Sequence, residues 1–475
     1  MRASLPAALV ALALAGCSLT RPDVDDCRST AECRAAFGFG FVCGGDGLCA
    51  GAPAEPRCAA TWPVNLFANP AEGGRLVIAT VVDTSLETHV ARANAVQLAV
   101  QDASADSAGV EGGIDGRKFG LVMCTIAEDT TLDTLSRAEA TLRVTRYIEG
   151  ALDVPIVVGP PGSGEARAAF EATTRTLFLS PSATSPALTA LEPVPASDAA
   201  PGRLWRTAPT DVEQADRIAS DLSSRGVRDV ALLAQQGTYG DGLVALLTER
   251  IAGLQIERFE TQGQLSAAVG VIADGGASEV IFASSATADA VSFLTAAAAD
   301  AAFTGRRFFL TDAAANEDLL AGLPMDAGFR GRVRGTRAAL DPVRAASFAA
   351  RYRVAYGASD VDALSFTAHA YDAGWLALYA LGWATLQEDR VDAVALGRGL
   401  RQLSSGVAVD VGELSWPVVL DAFRAGRSVD LRGASGALDY DPDTEERSED
   451  GQSFEVWRVS SDGTAFCRVG DMGCS

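Results

Sequence analysis

The stretch at 156–189 constrains the fold of this chain more than any other. A short apolar run at 156–158 empties into Gly159-Pro160-Pro161-Gly162-Ser163-Gly164. An Ala-rich helical segment at 165–174 follows, then a second apolar run at 177–179 and the hydroxyl-rich Ser180-Pro181-Ser182-Ala183-Thr184-Ser185-Pro186. Strand, glycine turn, helix, strand and loop make one βαβ unit whose two strands end on the same edge. Open α/β sheets bind their ligands on that edge. The amides that begin the helix, with the Ser163 hydroxyl beside them, suit a carboxylate or another small anion. Capping of the helix by Ser163 is the competing reading.

Spacing argues against three enzyme motifs in this stretch. A nucleophile elbow needs glycine two residues before and two after its serine, where Pro161 and Glu165 stand. No Lys-Ser/Thr pair follows the glycines as a P-loop requires, and no Gly-x-Gly-x-x-Gly order occurs. Histidine chemistry has only His89 and His369 to use. The neighbourhood of His369, with Phe366, Tyr371 and Trp375, predicts a packed core residue. A net charge of -22 argues against nucleic acid, whose phosphates need clustered Lys and Arg. No enzyme activity, cofactor or metal is expected.

At 475 residues the chain is too long for one core. Residues 1–16 carry Arg2 and a short apolar run, and read as an export signal. Leu14-Ala15-Gly16-Cys17 resembles the lipobox of bacterial lipoproteins, which implies lipidation at Cys17 and a membrane anchor. Ser18, by the sorting rule familiar from enteric bacteria, implies an outer-membrane destination. Export permits disulfides, and Cys17 set aside leaves eight cysteines. Cys27, Cys33, Cys43 and Cys49 define a small stapled module at 17–50, and 51–73, with Pro53 and Pro56, reads as a linker. Cys467 with Cys474 would close a short loop and leave Cys58 with Cys124, one of several connectivities the spacing allows.

From residue 74 strands and helices alternate. Strands are expected at 76–82 and 119–124, helices at 88–102 and 130–147, and then the central βαβ unit. After Pro201 the pattern restarts. Helix is expected at 211–225, strand at 230–234, a turn at 238–242 before a helix at 243–252, strand at 279–284, helix at 288–299, and strand at 307–311. Helices at 347–356 and 365–385 follow, the second buried because it is apolar nearly throughout. Runs at 434–440 and 454–459 read as a closing β pair. This alternation predicts an α/β protein with mostly parallel, doubly wound sheets.

Gly112-Gly113-Ile114-Asp115-Gly116-Arg117, the Gly159-Pro160 turn with Ser163, the Ser180 to Pro186 loop, Trp205-Arg206-Thr207-Ala208-Pro209, Tyr239-Gly240, Tyr371-Asp372-Ala373 and Gly433-Ala434-Ser435-Gly436 follow one another in a familiar order. Over about 74–465 the chain resembles the leucine/isoleucine/valine-binding type of periplasmic substrate-binding protein. The resemblance implies two Rossmann-like lobes joined by three crossovers, with 74–205 and 335–447 in the first lobe and 206–334 and 448–475 in the second. By position it places Ser163, Thr184 and the backbone of Ser182 and Ala183 on a ligand carboxylate, and Tyr239 over the ligand from the facing lobe. Asp312 matches the acid that holds an ammonium; capping the next helix is its alternative role. Ala286-Thr287-Ala288 replaces an aromatic cover, and Asp83-Thr84-Ser85-Leu86-Glu87 lacks the usual glycine, which implies room for something larger than leucine. Asp83 and Glu87 become candidate specificity residues.

The implied protein is a lipid-anchored, periplasm-facing solute-binding protein. It would capture an amino-acid-like or amide-like ligand by hinge closure and pass it to an ABC permease. A sensory or interaction lipoprotein on the same fold is the alternative.

Overall fold

The computed structural model describes residues 26–106, 111–192, 194–357, 361, 364–388, 390–448 and 454–470. The expected signal at 1–16, Cys17 and Cys474 lie outside them. The chain divides into two compact bodies, one of residues up to 52 with 66–74, the other of 53–65 with 75–475.

In the first body, helix α1 (Thr30–Phe37) is capped by Ser29, whose side chain accepts from the Glu32 amide. The strands β1 (Phe41–Cys43) and β2 (Cys49–Gly51) pair antiparallel. Disulfides join Cys27 to Cys43 and Cys33 to Cys49. Residues 66–74 return to this body, where the Leu66 and Phe67 carbonyls accept from the amides of Phe39 and Gly40. The stretch expected as a linker is therefore divided between the two bodies. Its middle forms β3 (Ala60–Trp62), paired with a strand of the main body, because Thr61 and Trp62 extend the edge of a sheet.

The main body begins with β3, β4 (Leu76–Val82), α2 (Glu87–Ser104), β5 (Phe119–Thr125), α3 (Arg137–Gly150), β6 (Ile156–Val158), α4 (Ser163–Ala172), β7 (Leu177–Ser180) and β8 (Leu204–Arg206). Their sheet runs β3-β5-β4-β6-β7-β8, all parallel except the edge strand β3. Every residue of β4 is buried, as a strand covered on both faces requires. Cys58 and Cys124 are joined, closing a 66-residue separation onto β5, a constraint of about 4 kcal/mol on the unfolded chain. Cys467 is also disulfide-bonded.

A second lobe is built from α5 (Asp211–Ser224), β9 (Val230–Gln235), α6 (Thr238–Arg250), β10 (Gln255–Phe259), α7 (Gln262–Gly275), β11 (Glu279–Ala283), α8 (Thr287–Ala299), β12 (Arg307–Leu310), α9 (Glu317–Gly322), α10 (Ala327–Arg330) and β13 (Val333–Ala338). The chain then returns to the first lobe with α11 (Pro342–Tyr356), α12 (Thr367–Gln387), α13 (Ala393–Leu400), β14 (Val407–Asp410), α14 (Trp416–Arg424), β15 (Val429–Gly433) and β16 (Gly436–Ala437). It crosses a third time to β17 (Phe454–Val459) and β18 (Phe466–Arg468). The second sheet runs β10-β9-β11-β12-β13-β17-β18, parallel except that β17 runs antiparallel to both of its neighbours. These are two doubly wound lobes with a three-crossover hinge.

Several boundaries differ from expectation. The second crossover falls after Ala338, because β13 stays in the second sheet through that residue. Helix α3 starts at Arg137 rather than 130, since Ser136 and Glu139 form a reciprocal capping box and Asp133 is held by Arg57. Helix α6 begins at Thr238, so Tyr239 lies in its first turn. The expected closing pair does not form: β16 pairs with β15, and β17 with β13 and β18. Residues 262–275, read as no element, are helical and bury Leu265, Val269 and Ile272. Helix α12 is buried nearly throughout, and its His369 is 1% exposed.

Candidate ligand-binding cleft

In each lobe the first parallel strand, β4 or β9, lies between the next two in sequence, so the order reverses between β4 and β6 and again between β9 and β11. A reversal leaves a crevice at the carboxyl ends of the strands, because neighbouring connections depart to opposite faces of the sheet. At β4 and β6 the departing loops are 83–86 and 159–162. Gly159, at φ +111°, turns under β4, where a Cβ would lie 2.6 Å from the Val81 carbonyl. At β9 and β11 they lead to Tyr239 and to Ser285-Ala286-Thr287-Ala288. All four loops meet in one cleft of about 540 Å3, which also receives Arg92, Asp312, Ser365 and Phe366.

Ser163, Ser182, Tyr239 and Asp312 are brought together in this cleft. The Ser163 hydroxyl accepts from the Ser185 amide at 3.2 Å, which leaves its own proton for a partner in the cleft. Gly162, not Ser163, is the residue before the helix, so Ser163 is not the cap. Ser182 is committed: its hydroxyl donates to the Pro161 carbonyl at 2.7 Å and accepts from Arg92 at 3.0 Å. Ala183 and Thr184 are buried and do not line the cleft. The Ala183 amide donates to Ser180, and Asp211 donates its amide to the Thr184 carbonyl. Among the described residues no basic group reaches the Ser163 hydroxyl.

Tyr239 donates its hydroxyl to Asp312, and the amide of Gln214 donates to the same oxygen at 3.1 Å. That amide also donates to Asp211 at 2.6 Å, while its carbonyl accepts from the Asp312 amide and the Thr336 hydroxyl. Asp211 and Gln214 carry no sequence signal for this role; their i, i+3 spacing on a helix is ordinary. Burial pushes both Asp211 and Asp312 above the usual carboxylate range, and for Asp211 the charge of Asp312 adds to it. Burial likewise raises the Tyr239 phenol.

Three positively charged or titratable groups from the first lobe also line the cleft, and the motif pattern pointed to none of them. Arg137 pairs with Asp83 at 2.8 Å and with Glu165 at 3.1 Å. Burial, with Arg92 and Arg137 nearby, pulls His89 well below its usual range and keeps it neutral. Arg92 is 7% exposed and donates to the Ser365 carbonyl at 3.0 Å, the Ser365 hydroxyl at 3.3 Å and Ser182. Of the two loop acids expected to govern specificity, Asp83 lines the cleft and Glu87 does not.

A family model described as the receptor family ligand binding region matches residues 91–446. The chain belongs to this family. No curated protein matches the chain in sequence. Solved structures share the type I periplasmic binding protein fold of this family member. The branched-chain amino acid transporter substrate-binding protein LivJ of Streptococcus pneumoniae, in complex with isoleucine, has a TM-score of 0.58 at 18% identity over 83% of this chain and 99% of its own. A leucine-binding protein LivK of Thermotoga maritima gives 0.60 at 17% over 82% and 97%. An ABC transporter solute-binding protein of R. palustris in complex with benzoate gives 0.59 at 15% over 84% and 96%.

Proposed function

We propose that this protein is an extracytoplasmic solute-binding protein, tethered by lipid at Cys17, that captures a small amino-acid-like or amide-like solute for an ABC importer. The observation that carries the reading is the cleft between the lobes, fed by both strand-order reversals and lined by hydrogen-bonding groups from each lobe. Ser163 and the first amides of α4 offer donors on one wall, and Tyr239 with Asp312 faces them from the other. Neither wall encloses a ligand alone. Binding therefore favours the closed arrangement by the difference in contact between open and closed states, and the three crossovers are the hinge. No covalent step is required. The solved structures with isoleucine and with benzoate bracket the chemistry.

The test is calorimetric titration and thermal shift of the purified protein against amino acids, short amides and aromatic carboxylates. One chemical class should bind saturably, adding about 2.7 kcal/mol of stability at a hundredfold excess over its Kd. Ser163→Ala and Tyr239→Phe should each weaken that binding about tenfold. Saturable binding untouched by both substitutions would remove the cleft from consideration. A sensory or docking role without transport draws support from the disulfide-bonded module, which precedes the family match. Retention of an envelope partner by the module with no solute bound would favour it.

A further inference from the structure

We propose that Arg92 receives the ligand's anionic group, and that the captured solute is an organic carboxylate on an apolar body. The inference rests on the capture reading and narrows it. Arg92 stands on α2 in the wall of the cleft, 93% removed from solvent, with no carboxylate within 4 Å among the described residues. Its three hydrogen-bond acceptors are neutral: the Ser365 carbonyl, the Ser365 hydroxyl and the Ser182 hydroxyl. The Phe366 ring lies 5.4 Å from its guanidinium carbon. A guanidinium has five N–H groups, so donors remain for a further acceptor.

Buried charges in folded proteins are ordinarily paired. Elsewhere in this main body Arg57 is paired with Asp133, Arg206 with Glu446 and Arg225 with Glu279. Arg330 and Arg447 are also buried on neutral acceptors alone, but neither lines the cleft, and five hydrogen bonds use every N–H of Arg447. At Arg92 the counter-ion is missing: none of the four acids lining the cleft, Asp83, Glu165, Asp312 and Asp318, forms an ion pair with it. Asp83 and Glu165 are taken by Arg137. Asp312 is held by Tyr239 and Gln214 and acts on Arg92 only from a distance. Desolvation pulls Arg92 down to about 9, which still leaves it charged at neutral pH. Ser182, fixed between Arg92 and the Pro161 carbonyl, holds the guanidinium beside the α4 N-terminus, where Ser163 keeps a free proton. A carboxylate entering there meets a cation, a hydroxyl and helix amides together. Leu86, Ala286, Val291 and Phe366 supply apolar walls for the rest of the molecule.

The carboxylate can come from a simple acid or from an amino acid, and a matched set of probes separates the two: 4-methylpentanoate, 4-methylpentanamide, leucine and leucinamide, with benzoate and benzamide as the aromatic pair. Each is titrated into the wild-type protein and into Arg92→Gln and Arg92→Lys. The expected result is binding of at least one acid, with its amide weaker by about a hundredfold. Arg92→Gln should lose the acid by a similar factor without lowering the ligand-free melting temperature, and Arg92→Lys should keep part of the affinity. Preference for leucine over 4-methylpentanoate identifies the source as an amino acid; the reverse identifies a simple acid. An amide or leucinamide that binds as well as the acid overturns the inference, as does an acid whose affinity survives Arg92→Gln, and either leaves the capture reading standing. If the wild-type protein binds none of the six and nothing in the wider panel of amino acids, short amides and aromatic carboxylates, the capture reading fails and takes this inference with it. The comparison of acid with amide on the wild-type protein needs no variant to fold.

Discussion

At the scale of single residues, one buried side chain outside the cleft lining holds two acids apart. Gln214 separates Asp211 from Asp312, donating to both and accepting from the Asp312 amide and Thr336. Without its amide, two buried acids face each other across an apolar gap. Gln214→Leu should therefore cost about 3 kcal/mol in chemical denaturation. The cost should grow with pH. Both acids have folded pKa values above their unfolded ones, so the stability they carry is present at acid pH and lost as pH rises through the folded values. Removing their donor raises those values further, so a variant whose deficit is the same at pH 5 and pH 8 would refute this account.

At the scale of elements, α12 is locked to the loop before β16 by Asp372. Its carboxylate accepts from the Ala434 amide at 2.9 Å and from the Ser435 amide and hydroxyl at 2.7 and 2.6 Å. Gly433 allows the approach, since a Cβ there would lie 2.2 Å from the carboxylate. Burial pushes Asp372 up to about 6. The folded value exceeds the unfolded one, so the protein should lose about 3 kcal/mol between about pH 4 and pH 6, with no further loss from this group above that range. Asp372→Asn should flatten that part of the stability profile and lower stability at pH 7 by about 2 kcal/mol, because an amide presents a donor to a backbone donor. Equilibrium denaturation of both proteins across this range measures the two effects together.

At the scale of the whole molecule, the crossovers are stapled to each other. Arg206, at the end of β8, donates to Glu446 at 2.9 Å and to Thr189 at 2.8 Å, and Arg447 donates to the Thr207 carbonyl. The first and third connections thus leave the first lobe as one piece. Arg206→Met strands Glu446 beside the hinge and should cost about 3–5 kcal/mol, read from the urea midpoint. In X-ray scattering, ligand-saturated wild-type protein should show a smaller radius of gyration than free protein; no change would argue against closure. Much of this architecture is already written in local periodicity. The buried runs at 76–82 and 230–234, the glycine turn after 158 and the nearly continuous apolar helix after 365 specify a doubly wound α/β chain, because each is a statement about neighbours in sequence. The motif order placed Ser163, Ser182, Tyr239 and Asp312, and the structure gathers these four at one cleft. The partners of β16 and β17, the division of 51–73 between two bodies, and the retreat of Ala183 and Thr184 behind the wall depend on contacts between residues far apart in the chain. So do Arg92 without a counter-ion and Gln214 between two acids: each is ordinary in sequence, and only the assembled fold determines which charges meet and which do not.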